Sequence, residues 1–453
     1  MKKELIKLFV ILTLITLQIQ CQFFGKTEKN DNGLLLALLA LNNQGIKVNS
    51  AADLAFESND DYNLNEFGLI TTSTLEKWVS NWEANKPKDI RGNLIILQNG
   101  SSSAGVIQGN GTNVFSYNFV LDNSNTGFLQ TRNNGFVSTV AIIPDGVRTD
   151  SLLNIYGIDP VNDLVVLASA SSNNIGHYQS TLRAFYALYY WGFDKKHLAV
   201  LNGTLGDSGV RGSLPFGANG NTPPNFSNKY SVRQLRTDNT IIQSPLEDVK
   251  KLVSNPQDHG IIGIGSGLFI QDARSFGEFQ GTHGSGAGYD PIAGTPNSAA
   301  GANVTDTRYF GTLKGAVHTP WQELVENSAG YRFKSKAALK SYVLGKGYQA
   351  GQTTLQLCRT NYRAQITGFA TIAVLGYPTV WYDGGWIEWG NSVSGGGNAT
   401  LPSGSPFATD SSTYTDRGFH NANANATAKP ADLNPSGTTS RQIILDDKAY
   451  LRR

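Results

Sequence analysis

The chain has 453 residues, 49 of them glycine, and carries 37 Lys and Arg against 35 Asp and Glu, a formal net charge of +2. That length allows two or three domains with ample core. The near-neutral charge, with no basic run after the first residues, argues against a nucleic-acid partner, and the low charged fraction of 16% is common among exported proteins.

Residues 1–20 read as a secretory signal. Lys2, Lys3 and Lys7 precede the apolar run Leu8 to Leu17, which is too short to span a bilayer as a mature helix. Cys21 follows at once, where a bacterial lipoprotein carries its lipid-bearing first residue, although Gln18 and Gln20 stand where the usual lipobox has Leu and a small residue. The expectation is an exported protein of the cell envelope, periplasmic or surface, held to a membrane through Cys21, with 21–65 as a lipidated linker segment. An ordinary secreted protein is the plainer alternative.

Residues 66–208 have the pattern of a first α/β domain. Thr72 or Ser73 caps a helix with Leu75, Trp78, Val79 and Trp82 on one face. Leu94 to Leu97, Ser138 to Ile143 and Leu164 to Leu167 are strand-like, and Thr181 to Trp191 is a helix whose apolar face is Leu182, Phe185, Tyr186 and Tyr189. Gly192 closes that helix before the strand His197 to Leu201. The Gly, Pro, Asn and Ser of 209–239 read as an interdomain linker.

A second domain spans 240–395. It opens at Thr240 to Ile242, continues in a helix from Leu246 to Val253, and contains an insertion at 281–311 rich in Gly, Ala, Thr and Asn. Its centre is Thr353 to Trp389: a strand through Leu357, a loop opened by Cys358, a helix with Ile366, Phe369, Ala370, Ala373 and Val374 on one face, then Gly376, Pro378 and the strand Thr379 to Tyr382, closed by a glycine turn. In such a βαβ unit the loop at the carboxyl end of the first strand is the expected ligand position. The same order of elements runs around 164–203, the sign of a duplicated α/β domain, but the first copy has Ala168-Ser169 where the second has Cys358. After 396 the chain turns to Gly, Ser, Thr and Asn. An extended tail to 453 is expected, anchored only by Ile443-Ile444-Leu445.

Of two cysteines, one sits at the expected processing site, which leaves Cys358 without a disulfide partner. The loop's backbone N–H groups, the helix that follows, and Arg359 and Arg363 all favour a negative charge on its sulfur. The competing reading is a buried core cysteine.

The string Cys358-Arg359-Thr360-Asn361-Tyr362-Arg363-Ala364, with Gly376-Tyr377 and Tyr382-Asp383-Gly384-Gly385-Trp386-Ile387-Glu388-Trp389, resembles the active-site loop and closing strand of the rhodaneses, the thiosulfate sulfurtransferases. Phe269-Ile270-Gln271-Asp272-Ala273-Arg274-Ser275 and Leu313-Lys314-Gly315-Ala316-Val317-His318 are similar to two further family segments, and the match covers roughly 240 to 390. The resemblance implies an α/β fold of two rhodanese-like domains, each a mainly parallel sheet flanked by helices, the first inactive and walling one side of the cleft. It implies that Cys358 takes a sulfur from thiosulfate as a persulfide and gives it to cyanide or a thiol acceptor. Arg359 and Arg363 would hold the donor's oxygens and the backbone of Thr360 to Ala364 (Thr360, Asn361, Tyr362, Arg363, Ala364) the sulfur anion, with Asp272 and Arg274 supporting the loop and His318 a structural histidine. Asp383, Trp386 and Trp389 would pack and turn the chain. No cofactor or metal is implied, and the partners are a small anionic donor and its acceptor.

Two departures from the family pattern bear on the donor. Asn361 replaces a usual glycine, and Glu278 stands where some thiosulfate-specific relatives place a substrate-binding arginine. Asn tolerates the left-handed conformation that such a turn needs. The alternatives are a 3-mercaptopyruvate sulfurtransferase, whose loop usually has Gly and Ser after the cysteine, and an envelope surface binding module with a vestigial site. A dual-specificity phosphatase would need its arginine one position later than Arg363.

Overall fold

The computed structural model describes residues 45–100, 105–135, 138–169, 172–254, 266–280, 311–392 and 440–452, with the short strands 289–290, 295–296, 309–310 and 421–422. The expected signal segment 1–20, Cys21, nearly all of the 281–311 insertion and most of the tail lie outside the described residues.

Two parallel sheets organise the α/β fold. In the first, strands run in the spatial order Gly68–Ile70, Leu198–Leu201, Leu164–Ala168, Leu94–Asn99, Val114–Phe119, every neighbour parallel. Its central strands Leu198–Leu201 and Leu164–Ala168 are apolar at each position, and Leu94–Asn99 through Leu97, because both faces are covered. Ile95, Leu97, Val165 and Leu167 enter one core cluster and Leu94, Ile96, Leu164 and Val166 another on the opposite side. The second sheet runs Val317–His318, Leu268–Asp272, Thr353–Leu357, Thr379–Trp381, again parallel throughout.

Helices meet between the sheets. The Ile175–Tyr190 helix lies against the helix Arg363–Phe369. Phe185 meets Phe369 edge-on with ring centroids 4.9 Å apart, and Tyr186 lies 5.0 Å from Trp381. Such aromatic contacts add about 0.5–1.5 kcal/mol each beyond area burial.

Several expectations need correction. The Thr181 to Trp191 helix begins earlier, at Ile175, capped by the Asn174 side chain. The glycine turn after Thr379–Trp381 leads into a helix, Gly385–Ser392, so Trp386 and Trp389 are helical. The helix after Cys358 is α-helical only through Phe369 and continues as a π-helix over Ala370–Val374. Its freed carbonyls are taken by a distant segment: Phe56 N–H donates to Ile372 O at 2.8 Å and Ser58 N–H to Val374 O at 3.1 Å. The 209–239 linker packs on the body, with Phe216–Gly217 pairing to Val106–Ile107. The tail's end is no extended strap but a helix, Gln442–Leu451. Besides Ile443 and Ile444 it is anchored by the buried Arg132–Asp447 ion pair at 2.6 Å and by Lys448–Asp238 at 2.9 Å.

Candidate active site

Cys358 ends the Thr353–Leu357 strand, a buried central strand of the second sheet. Its residue is 1% exposed and belongs to the core cluster that also holds Phe369 and Tyr186. The loop after it is fixed from both sides. The Cys358 and Arg359 carbonyls accept from Trp386 N–H at 2.8 Å and Ile387 N–H at 3.0 Å, the start of the Gly385–Ser392 helix. Gly385 makes that approach possible: it has φ +60°, and a Cβ there would meet the Cys358 carbonyl oxygen at 2.9 Å.

Within the loop, Arg359 and Thr360 are half-buried and Asn361 fully buried. Asn361 has φ 60°, the left-handed conformation its type tolerates. Its Nδ2 donates to Asp383 Oδ1 at 2.9 Å. Tyr362 is half-buried, with the Arg183 guanidinium 5.9 Å from its ring centre. Ala364 is buried, and its carbonyl accepts from Trp381 Nε1–H at 3.0 Å. Burial, aided by the charge of Arg363 and opposed by Glu278, pushes the Arg359 pKa down from its ordinary value.

Arg363 does not stand open for donor oxygens. Its Nη1 and Nη2 donate to Glu278 Oε2 and Oε1 at 2.5 and 2.8 Å, a bidentate pair. Glu278 is further held by the Ser275 N–H at 3.0 Å and Ser275 Oγ at 2.8 Å. Burial pushes the Glu278 carboxyl up, and the charge and hydrogen bonds of Arg363 more than reverse this, holding it at about 2. Arg363 feels the charges of both Glu278 and Cys358, which raise its pKa against the effect of burial.

Asp272 and Arg274 lie beside the loop and pair with each other. Arg274 Nη2 donates to Asp272 Oδ2 at 2.6 Å, Thr312 Oγ1 to the same oxygen at 2.7 Å, and Arg274 Nη2 also to Gly311 O at 2.5 Å. Ala273 N–H donates to Leu357 O at 2.9 Å, so this turn braces the strand just ahead of the cysteine. His318 Nε2 lies 2.9 Å from the Arg274 carbonyl, on the same brace.

Arg183 is the residue that sequence reading passed over. From the middle of the Ile175–Tyr190 helix it pairs with Asp383 Oδ1 at 2.5 Å, both side chains 0% exposed, and its Nη1 also reaches the Asn361 carbonyl at 3.5 Å. Its Nη2 donates to the carbonyl of Ala141, itself at φ 60°. Asp383 Oδ2 accepts from Ile143 N–H at 3.0 Å. Asn361, Asp383 and Arg183 thus tie the cysteine loop to the first sheet's helix and to the hairpin of Gln130–Asn133 with Ser138–Ile142. The sequence did carry a signal: an arginine in the otherwise apolar run Leu182 to Trp191 is a buried charge in need of a partner. Among the described residues no cluster of His, Cys, Asp and Glu could hold a metal ion, and no helix is long and apolar enough to cross a membrane.

No protein-family profile matches the chain. A Haloferax volcanii protein that carries the provisional name thiosulfate sulfurtransferase is 28% identical over 246 residues, 54% of this chain and 71% of that protein. The sulfur carrier protein TtuD of Thermus thermophilus is 37% identical over 84 residues, 18% of this chain and 29% of TtuD. Among solved structures, a variant of EanB in complex with ergothioneine aligns with a TM-score of 0.50 at 14% identity, over 72% of this chain and 68% of EanB. That last likeness concerns the fold. The sequence relatives support the rhodanese-like family and sulfur transfer in general.

Proposed function

We propose that this chain is a sulfurtransferase that works through a persulfide on Cys358. The Cys358 thiolate attacks the outer sulfur of a sulfane donor, of which thiosulfate is the simplest. A Cys358 S–S bond forms, the donor's S–S bond breaks, and sulfite leaves with the electron pair. Cyanide or an acceptor thiolate then attacks the terminal sulfur and regenerates the Cys358 thiolate. The observation that carries this reading is the position of Cys358, at the carboxyl end of a parallel strand and followed by a tight loop whose Arg363, paired with Glu278, interacts electrostatically with the cysteine.

In the same reading the first α/β half carries no nucleophile and serves the loop through Arg183. Export and lipidation at Cys21 rest on residues 1–21 alone. The test is thiocyanate formation from a sulfane donor and cyanide. The wild type is expected to form it and Cys358→Ser to lose it while keeping the wild-type circular dichroism. Equal turnover by Cys358→Ser would refute the proposal.

A further inference from the structure

We infer that Glu278 selects the sulfur donor: by occupying the anion-binding face of Arg363 it favours low-charge persulfide and polysulfide donors over the thiosulfate dianion. This rests on the persulfide reading of Cys358.

A guanidinium grips an oxyanion best through its two-pronged edge. In Arg363 both prongs, Nη1 and Nη2, are given to the Glu278 carboxylate. Glu278 is 4% exposed and held from behind by Ser275 N–H and Oγ, so it is a fixed occupant of that edge and not a passing surface contact. Oxygens of a dianionic donor at that edge must either displace a buried carboxylate or lie against it, and like charges so placed repel.

The short helix that carries Glu278, Phe276–Gln280, also carries two aromatic rings: Phe276 and Phe279 lie 5.4 and 5.1 Å from the His318 ring, and Phe276 is 53% exposed. That apolar surface suits the organic part of an alkyl persulfide.

The loading step then balances without sulfite. The Cys358 thiolate attacks the terminal sulfur of R–S–SH, a Cys358 S–S bond forms, the donor's S–S bond breaks, R–S⁻ leaves with the electron pair, and the proton stays on the transferred sulfur.

The experiment compares single-turnover loading of Cys358 by an alkyl hydropersulfide and by thiosulfate, in the full chain and in Glu278→Gln. The wild type is expected to load faster from the persulfide. Glu278→Gln is expected to improve kcat/KM for thiosulfate by about tenfold, the scale of a charge-assisted hydrogen bond regained, with a much smaller change for the persulfide. If both donors change by one common factor, or thiosulfate is not improved, the inference is overturned. Should Glu278→Gln fail to fold, Glu278→Asp keeps the charge but shortens its reach, and a smaller gain for thiosulfate alone is expected, its absence counting against the inference. Failure of both donors to load a folded wild type whose Cys358 still alkylates would instead overturn the proposed function itself.

Discussion

The turn of the cysteine loop depends on one residue in the left-handed region, Asn361 at φ 60°, whose side chain also donates to Asp383. Asn361→Ala meets both costs, about 1–2 kcal/mol for the left-handed backbone and about 1.5–3 kcal/mol for the lost hydrogen bond to the Asp383 carboxylate, whose Oδ1 keeps its pair with Arg183. Asn361→Gly meets only the second. The expected order of stability in urea unfolding is therefore wild type, then Gly, then Ala, and an Ala variant as stable as the Gly variant would contradict the account. The tolerance of Asn for this conformation was legible in the sequence. The partner of Arg363 was not, because Glu278 lies 85 positions away and only the parallel pairing of the two strands brings it near. Local pattern shows that a charge is present and says nothing of which distant charge meets it.

Besides the Gly385–Ser392 helix, two elements from the first half of the chain hold the loop in place, the Ile175–Tyr190 helix and the hairpin of Gln130–Asn133 with Ser138–Ile142, and both act through Arg183 and Asp383. Arg183→Met keeps the side chain's bulk but leaves Asp383 buried without its cation, a change worth about 3–5 kcal/mol. A fall of that size in the free energy of urea unfolding is expected; an unfolding curve unchanged from wild type would show that the pair does not brace the loop. Buried apolar strands such as Leu164–Ala168 were readable from composition alone, since both of their faces are covered. The Gly385–Ser392 helix was hidden by its glycines, which read locally as a turn. The closing helix Gln442–Leu451 was hidden by its mixed pattern: Asp447 looks like a solvent residue until Arg132 and the Tyr190 hydroxyl are seen around it, at 2.6 and 2.7 Å.

Across the whole molecule the buried carboxylates set opposite responses to pH. Burial pushes Glu388 up to about 7, only partly offset by donors such as Thr139 and Asn134. Between its ordinary value of 4.5 and about 7 it stays protonated in the fold and ionises in the unfolded chain, so stability falls as pH rises through that window. Asp163, raised by burial to about 6, acts in the same direction. Glu278, held at about 2, does the reverse and takes stability away as pH falls below about 4.5. The urea midpoint is therefore expected to drop from pH 5 to pH 8, and Glu388→Gln to show a smaller drop, the remainder coming from groups such as Asp163. An identical drop in both proteins would remove Glu388 from the explanation. The two parallel sheets were foreseen from the repeated strand–helix–strand order, while the π-helix and its cover by Phe56 and Ser58 arise from contacts more than 300 positions apart in the chain, which no local pattern records.

The central claim is most directly tested by mass spectrometry of the purified chain after exposure to a sulfane donor and then to cyanide, beside Cys358→Ala. The account predicts one added sulfur on the wild type, removed by cyanide and absent from the variant. A folded wild type that gains no sulfur from any sulfane donor, although Cys358 still alkylates, would contradict it.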